Sequence, residues 1–148
     1  MAPIEMVEVG ARDGLQNESV LFTTSQKLEL IGRALDAGVR RLEANSFVNP
    51  KLVPQMADAE AVAAGLPRRE GVIFIGLVLN KRGALRAIEA GMEELGAVCA
   101  ASDGFATRNQ GQSSDASLAM CVEVVRLARA QARRAQITIE SEHFGIDV

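Results

Sequence analysis

The sequence contains no tryptophan and no tyrosine, and only five of its 148 residues are phenylalanine. Proteins that bind single-stranded nucleic acid stack the bases on aromatic side chains placed among basic ones, and this chain has no such pattern. Its net charge of -3 and its isoelectric point near 5.2 also argue against a surface for polyanions. We therefore expect no nucleic-acid partner.

The chain is also poor in cysteine and in long hydrophobic runs. Cys99 and Cys121 lie in apolar surroundings without CxxC spacing, which favours a reducing compartment over a disulfide framework. No basic and apolar leader precedes the first apolar run, so we predict a cytoplasmic location. The longest apolar run, residues 72–79, is far shorter than the roughly 20 residues of a membrane span, and we expect no membrane partner.

What the sequence does contain is an alternation of short apolar runs with longer amphipathic segments, the pattern of βαβ units. It predicts parallel strands at residues 4–9, 39–44, 72–79, 95–100 and 137–140, alternating with helices. A closed (β/α)₈ TIM barrel needs about 250 residues, so this length supplies roughly four and a half units. We predict one α/β domain over residues 1–148, either the N-terminal half of such a barrel that stops after about the fifth strand, or a small open sheet.

Helix boundaries follow from capping residues. Thr23 and Gln26 have capping-box spacing, and Gly38 ends the helix that they start. Pro54 suits the first turn of a second helix, and Asn80 can cap a third. Ser113 or Ser114 can cap the longest helix. In that helix we predict four inward residues: Leu118, Val122, Val125 and Ala132.

Two motifs follow the first two predicted strands. The first, residues 7–18, reads VEVGARDGLQNE, and the second, residues 42–58, reads LEANSFVNPKLVPQMAD. Both resemble signatures of the hydroxymethylglutaryl-CoA lyases, metal-dependent TIM-barrel enzymes of the DRE-TIM metallolyase superfamily. A third stretch, ASDGFATRN at residues 101–109, is similar to the loop after that family's fourth strand. The resemblance covers about residues 4–135.

This resemblance implies a reaction. The family cleaves 3-hydroxy-3-methylglutaryl-CoA to acetyl-CoA and acetoacetate by a retro-Claisen step, which belongs to leucine degradation and ketone-body chemistry. A divalent cation, Mg²⁺ or Mn²⁺, polarises the substrate oxygens. The matching aspartate of the family is a metal ligand, so Asp13 is our metal candidate. An isolated aspartate in such a loop would more often be a turn or cap residue.

Other site candidates lie on the same two motifs. Arg12 can place a permanent positive charge against the developing enolate oxygen, and it can equally form a salt bridge with Glu43 or Glu18. Glu43 closes its strand on the same rim and can orient Arg12 or a metal-bound water. Gln16 and Ser46 are candidates for contacts to the substrate. Asn80 matches an asparagine near the family's site, although helix capping alone would account for it.

The resembling family draws its remaining metal ligands, a His-x-His pair and an asparagine, from its second half, together with a reactive cysteine on a glycine-rich loop. None of these motifs occurs in this sequence, and we assign no metal role to His143, its only histidine. We therefore expect the chain alone to be an incomplete lyase with little or no activity. It should either self-associate or depend on the missing half. Alternatives are a related metallolyase for another 3-hydroxyacyl-CoA, or an inactive fragment.

Overall fold

The computed structural model describes residues 4–140, so His143 lies outside the described part of the chain. Within it, four strands form one parallel sheet in the order β1-β2-β3-β4. The strands are β1 (Arg41–Ser46), β2 (Ile73–Val78), β3 (Glu94–Ala100) and β4 (Arg134–Glu140). The helices are α1 (Thr24–Asp36), α2 (Ala59–Gly65), α3 (Lys81–Glu89), α4 (Asp103–Gln110) and α5 (Ser114–Ala130).

The two faces of the sheet have different neighbours. On one face, apolar strand residues such as Leu42, Val78 and Leu95 join helix residues in a single core. The opposite face, here called the interior face, carries the charged side chains of Arg41 and Glu94, whose ion pair spans the width of β2. A parallel sheet with one helix-covered face and a partly polar opposite face is the arrangement of a TIM-barrel sector.

The segment predicted as the first strand is only partly a strand. Residue Glu8 alone pairs with β1, donating its N–H to the Arg41 carbonyl at 3.0 Å and accepting the Glu43 N–H at 2.9 Å. Ile4 and Met6 are 96% and 85% exposed, because no strand or helix of the described residues covers them. The prediction for residues 4–9 was therefore too long, although the segment does lie parallel to β1.

Three predicted helix starts are confirmed. Thr23 and Gln26 form the full capping box of α1, with both reciprocal hydrogen bonds present. Asn80 caps α3 by accepting the Gly83 N–H at 2.8 Å. Ser113, the first of the two serines considered, caps α5. Caps are local, so residue type and spacing predict them without knowledge of the tertiary fold.

The segments that follow β1 and β3 differ from the prediction. Pro54 starts a short 3₁₀ turn (Pro54–Met56), and α2 begins only at Ala59. The break has a physical cause, since the Asp58 carboxylate binds α1 through Lys27 and Thr24 instead of capping α2. The stretch at residues 101–109, which resembles a loop of the family, is largely helical here, since Asp103–Gln110 form α4 with Ser102 as its cap.

Helix α5 also turns a different face to the sheet than predicted. Leu118 is 53% exposed and Val122 is 38% exposed, while Ser117, Cys121 and Val124 are fully buried. The Ser117 hydroxyl accepts the Ala100 N–H at 3.0 Å and donates to the Val98 carbonyl, which fixes this face against β3. Hydrophobicity alone favoured Leu118 and Val122, whereas the hydrogen bonds of Ser117 to β3 turn the neighbouring face of α5 towards the sheet.

A buried ion pair connects α1 to the loop after β1. The Lys27 ammonium is almost fully buried, pairs with Asp58 and donates to the Gln55 carbonyl at 2.6 Å. The Gln55 amide in turn donates to the Glu18 carbonyl at 2.9 Å. The loops that follow Asp13 and Ser46 are thus held to each other and to α1.

No helix among residues 4–140 has the length and apolar character needed to cross a bilayer.

The Lys27 pair predicts an acid-dependent stability. Burial alone would raise the pKa of Asp58, but the hydrogen bonds from Lys27 and Thr24 and the lysine charge outweigh it and hold this pKa below its ordinary value of 3.8. A carboxylate with a depressed pKa stabilises the fold above its unfolded pKa of about 3.9, and this contribution disappears as the pH falls through the folded pKa. We expect Asp58→Asn to lower the unfolding free energy at pH 7 and to flatten its loss in acid.

Urea unfolding between about pH 7 and about pH 3 measures both effects. The matched control is Asp36→Asn, because Asp36 pairs with Arg69 on the surface, where both side chains are at least 42% exposed and contribute little. Equal acid dependence of the unfolding free energy in the two variants would contradict the assignment of this stabilisation to Asp58.

Candidate active site

A tight turn places the first candidate residues. Residues Gly10–Gly14 form one π-helical turn directly after the segment that pairs with β1. The Val9 carbonyl accepts the N–H groups of Arg12, Asp13 and Gly14 at 3.1, 2.7 and 3.4 Å. Single π-helical turns occur frequently at functional sites, and this one directs Arg12 and Asp13 towards the carboxyl ends of the strands.

Arg12 joins the two predicted motifs. Its Nε and Nη2 atoms lie 2.6 and 2.5 Å from Oε2 of Glu43, and its Nη1 donates to Oδ1 of Asp13 at 3.0 Å. The Arg12 and Glu43 side chains are only 12% and 7% exposed, whereas Asp13 is 54% exposed. The structure therefore contains the Arg12–Glu43 salt bridge that the sequence offered as one option, and Asp13 remains accessible beside it.

A bulge in β1 brings Ser46 to the same side as Glu43. Glu43 pairs with Ile75, but Asn45 pairs with the very next residue, Gly76, so Ala44 is an extra residue in the ladder. Without the bulge, residues three apart in a strand would point to opposite faces. Instead Ser46 pairs with Leu77, while the Asn45 amide turns to the helix layer and donates to the Ala59 carbonyl. Ser46 is fully buried, and its hydroxyl has no hydrogen-bond partner among the described residues.

A cavity of about 290 Å³ opens on the interior face in front of Arg12 and Glu43. Its polar lining comes from Arg12, Asp13, Glu43, Gln136 and Thr138. Sequence reasoning missed the last two. The signal was available in β4, where polar residues alternate with apolar ones at every second position from Arg134 onwards, and parallel pairing with β3 places this polar series on the interior face.

Comparison with known proteins identifies the family. The HMGL-like family model matches residues 3–146. A 3-hydroxy-3-isohexenylglutaryl-CoA/hydroxy-methylglutaryl-CoA lyase of Pseudomonas aeruginosa is 41% identical over 126 residues, which are 85% of this chain and 42% of that protein. The chain belongs to the HMGL-like family.

Solved structures of the same family share the fold. The hydroxymethylglutaryl-CoA lyase from Pseudomonas aeruginosa superimposes with a TM-score of 0.86 at 40% identity, covering 92% of this chain and 45% of that one. An HMG-CoA lyase from Acinetobacter baumannii, solved in complex with coenzyme A and 3-methylmalate, gives 0.84 at 37% identity, covering 90% and 43%. The chain thus corresponds to one part of a TIM barrel and spans less than half the length of these relatives. The alternative of an unrelated small open sheet is excluded.

Of the four substrate candidates, Arg12 lines this cavity, whereas Ser46, Gln16 and Asn80 do not. Gln16 is half-buried in the segment after the π-helical turn, and its Oε1 atom has no hydrogen-bond partner in the described part of the chain. Asn80 uses its own Oδ1 to cap α3, as expected from its position alone. Their roles in binding remain predictions.

The described residues supply few ligands for a metal. No cluster of three or more histidine, cysteine, aspartate or glutamate side chains suited to a cation occurs within residues 4–140. Asp13 is an accessible carboxylate at the cavity, and hard divalent cations prefer such oxygen donors. Cys121 is not suited to be a thiolate, since burial, together with Cys99 nearby, raises its pKa to about 11.

The Arg12–Glu43 salt bridge predicts a stability effect. Replacing Glu43 by alanine leaves the largely buried Arg12 guanidinium without its main partner, and we expect the unfolding free energy to fall by about 2 kcal/mol or more. Urea unfolding at neutral pH measures this change. Glu29→Ala is the control, because its pair with Arg33 is exposed and helical and is worth only about 0.3–0.5 kcal/mol. Similar losses in both variants would show that Glu43 is not a buried anchor.

Proposed function

We propose that this chain is the N-terminal part of an acyl-CoA lyase that cleaves 3-hydroxy-3-methylglutaryl-CoA to acetyl-CoA and acetoacetate. One observation carries the proposal. Arg12, fixed by Glu43, stands beside the accessible carboxylate of Asp13 at one cavity, in a chain of the HMGL-like family. The relatives at about 40% identity are named as lyases of this substrate.

In the proposed reaction the Arg12 guanidinium stabilises the enolate oxygen that forms on the thioester as the carbon–carbon bond breaks. A preorganised charge is effective here because it needs no reorganisation in the transition state. Two contacts from Nε and Nη2 to Glu43 hold the guanidinium plane, so Glu43 acts as a positioning residue rather than touching substrate. Ser46, on the same face of the sheet, offers to a substrate oxygen a hydroxyl that has no partner within residues 4–140. Gln16 offers a similarly unsatisfied side-chain oxygen.

We also propose that Asp13 is one ligand of a divalent cation, Mg²⁺ or Mn²⁺. When bound, the cation would polarise the substrate hydroxyl and lower its pKa. Asp13 fits this role in accessibility and donor type, but one carboxylate fills only one of about six positions that such a cation requires. The other ligands must come from elsewhere in a complete barrel, which is why we infer that residues 1–148 alone are inactive or nearly so.

The exposed apolar residues support dependence on further barrel units. Ile137 and Ile139 on β4 are 43% and 66% exposed, and Ile4 and Met6 at the opposite edge are more so. Open edges of a parallel sheet are rarely left bare. We propose that the remaining half of a barrel, or a second copy of this chain, covers them.

We further propose a cytoplasmic location, which agrees with two unpaired cysteines and with the names of some relatives, while others are named mitochondrial.

The name of one relative supports a second candidate substrate. The Pseudomonas aeruginosa lyase is named for both 3-hydroxy-3-isohexenylglutaryl-CoA and the methyl compound. A related lyase acting on another branched 3-hydroxyacyl-CoA is therefore the second candidate. Comparing kcat/KM for the two thioesters in the chimera described next distinguishes them.

The decisive experiment is a chimera in which residues 1–135 replace the matching part of the Pseudomonas aeruginosa lyase. We expect it to release acetoacetate with Mg²⁺ or Mn²⁺, and the unfused chain to release almost none. Arg12→Gln should lower kcat of the chimera about 100- to 1,000-fold, the usual effect of losing an oxyanion contact, while Arg33→Gln on the exposed face of α1 should not. A folded but inactive chimera would favour an inactive remnant, and normal turnover by the unfused chain would contradict the incomplete site.

A separate binding measurement tests the proposal that Asp13 is a metal ligand. In the same chimera, Asp13→Asn should weaken Mn²⁺ binding, measured by electron paramagnetic resonance without substrate, by about tenfold or more, since a charged ligand becomes neutral. Asp36→Asn removes a carboxylate from a surface pair and should leave binding unchanged. Unaltered Mn²⁺ affinity in Asp13→Asn would exclude this residue as a ligand.

A further inference from the structure

The cavity in front of Arg12 has a second polar wall, which belongs to β4. Arg12 follows the segment that pairs with one edge of the sheet, whereas Thr138 lies on β4 at the other edge. Both residues line the same cavity of about 290 Å³. The sheet therefore curves so that its two edges face each other across this space, and a ligand in the cavity would be contacted from both sides.

The position of Thr138 follows from a row of side chains nearer the amino ends of the strands. Arg41 pairs with Glu94, and its Nη2 atom donates to the side-chain oxygen of Gln136 at 3.0 Å. These three residues, one from each of β1, β3 and β4, are called the lower row. Residues two positions further along a strand lie on the same face and nearer its carboxyl end. The same step on all three strands therefore gives an upper row.

The upper row consists of Glu43, Gly96 and Thr138. A Cβ on Gly96 would lie 3.9 Å from Oε1 of Glu43, so these two positions of β1 and β3 do face each other. Glu43 and Thr138 line the same cavity, as members of one row should. Because glycine has no side chain, β3 contributes nothing to the row between them. This leaves room for a ligand between the Arg12–Glu43 salt bridge and β4.

Thr138 is an uncommitted polar group in the cavity wall. Arg12 and Glu43 bind each other, and the Gln136 oxygen is bound to Arg41. The Thr138 side chain is half-buried, and its hydroxyl has no hydrogen-bond partner within residues 4–140. A hydroxyl that loses its contact with water needs a new partner, since an unpaired buried polar group is costly. A ligand that fills the cavity is therefore favoured if it offers this hydroxyl an acceptor.

We propose that Thr138 is a substrate-contacting residue whose hydroxyl donates a hydrogen bond to the free carboxylate of the hydroxyacyl group. This inference rests on the proposed function, in which Arg12 serves the thioester oxygen and the Asp13 site serves the substrate hydroxyl. The carboxylate is the remaining polar group of that acyl chain, and Thr138 lies on the wall opposite Arg12. A hydroxyl is a suitable donor here, because hydrogen bonds to ionised groups are shorter and stronger than those between neutral groups.

The test uses a longer chimera, in which residues 1–140 replace the matching part of the Pseudomonas aeruginosa lyase, so that β4 of this chain lines the cavity. Thr138→Val keeps the shape of the side chain and removes the hydroxyl. We expect it to lower kcat/KM for 3-hydroxy-3-methylglutaryl-CoA about tenfold or more, mainly by raising KM, since the carboxylate does not react. Thr138→Ser keeps the hydroxyl and is the matched control, with an expected change of less than about threefold.

A binding measurement adds a readout that needs no turnover. The ligand is 3-methylmalate, a hydroxydicarboxylate that is present with coenzyme A in the structure of the Acinetobacter baumannii relative. In calorimetric titration of the longer chimera, Thr138→Val should weaken its binding by about tenfold, while Thr138→Ser should stay near the wild type. For 2-hydroxy-3-methylbutyrate, in which a methyl group replaces one carboxylate, we expect Thr138→Val and the wild type to bind equally.

Three results would overturn the proposal. They are an active longer chimera in which Thr138→Val has the KM of the wild type, a 3-methylmalate affinity that Thr138→Val leaves unchanged, and a folded chimera that does not bind 3-methylmalate. Thermal unfolding establishes folding of each variant, and Thr138→Ala takes the place of Thr138→Val if the latter does not fold. A longer chimera that lacks lyase activity but binds 3-methylmalate through the Thr138 hydroxyl would reject the lyase proposal and leave the assignment of Thr138 standing.

Discussion

The Arg12–Glu43 salt bridge is the interaction on which the site depends. The segment before Arg12 shares a single ladder position with β1, through Glu8, so the main chain alone attaches it weakly. The salt bridge adds a side-chain connection between that segment and the centre of β1, in surroundings with little water to compete. Asp13 is held in place by the same guanidinium. Loss of the pair would remove this side-chain connection from the turn that presents both residues.

Charged side chains have different surroundings at the two ends of the strands. At the amino ends of the strands, Arg41 reaches Glu94 and also contacts Glu5 and Gln136, which ties the N-terminal segment, β1, β3 and β4 together. At the carboxyl ends, the charges are partly accessible and line concave surfaces. A parallel sheet makes this separation possible because all strands end at the same edge. The Arg41 ion-pair network thus lies at the amino ends of the strands, and the candidate site lies towards their carboxyl ends.

Much of this arrangement could be predicted from the sequence, and the exceptions depend on contacts between segments that are distant in the chain. Capping serines, threonines and asparagines act over three residues, so their spacing predicted the starts of α1, α3 and α5. The meeting of Arg12 with Glu43 followed from their positions at the ends of adjacent segments. The inward face of α5 and the break before α2 could not be predicted from the sequence, because Ser117 and Asp58 bind residues that are distant in the chain. Gln136 and Thr138 were missed for a different reason. The alternation of polar and apolar residues in β4 assigns them to the interior face only when the pairing of β4 with β3 is known.

The extra residue Ala44 in β1 has a consequence for any attempt to transplant this strand. It shifts the alternation of the pleat by one residue. Odd-numbered residues before it and even-numbered residues after it therefore point to the interior face. A designer who imposed regular alternation on this strand while keeping every residue would place the serine opposite Val78 instead of Leu77 and turn its hydroxyl into the helix layer. For this strand, the spacing of residues is therefore as much a part of the chemistry as their identity.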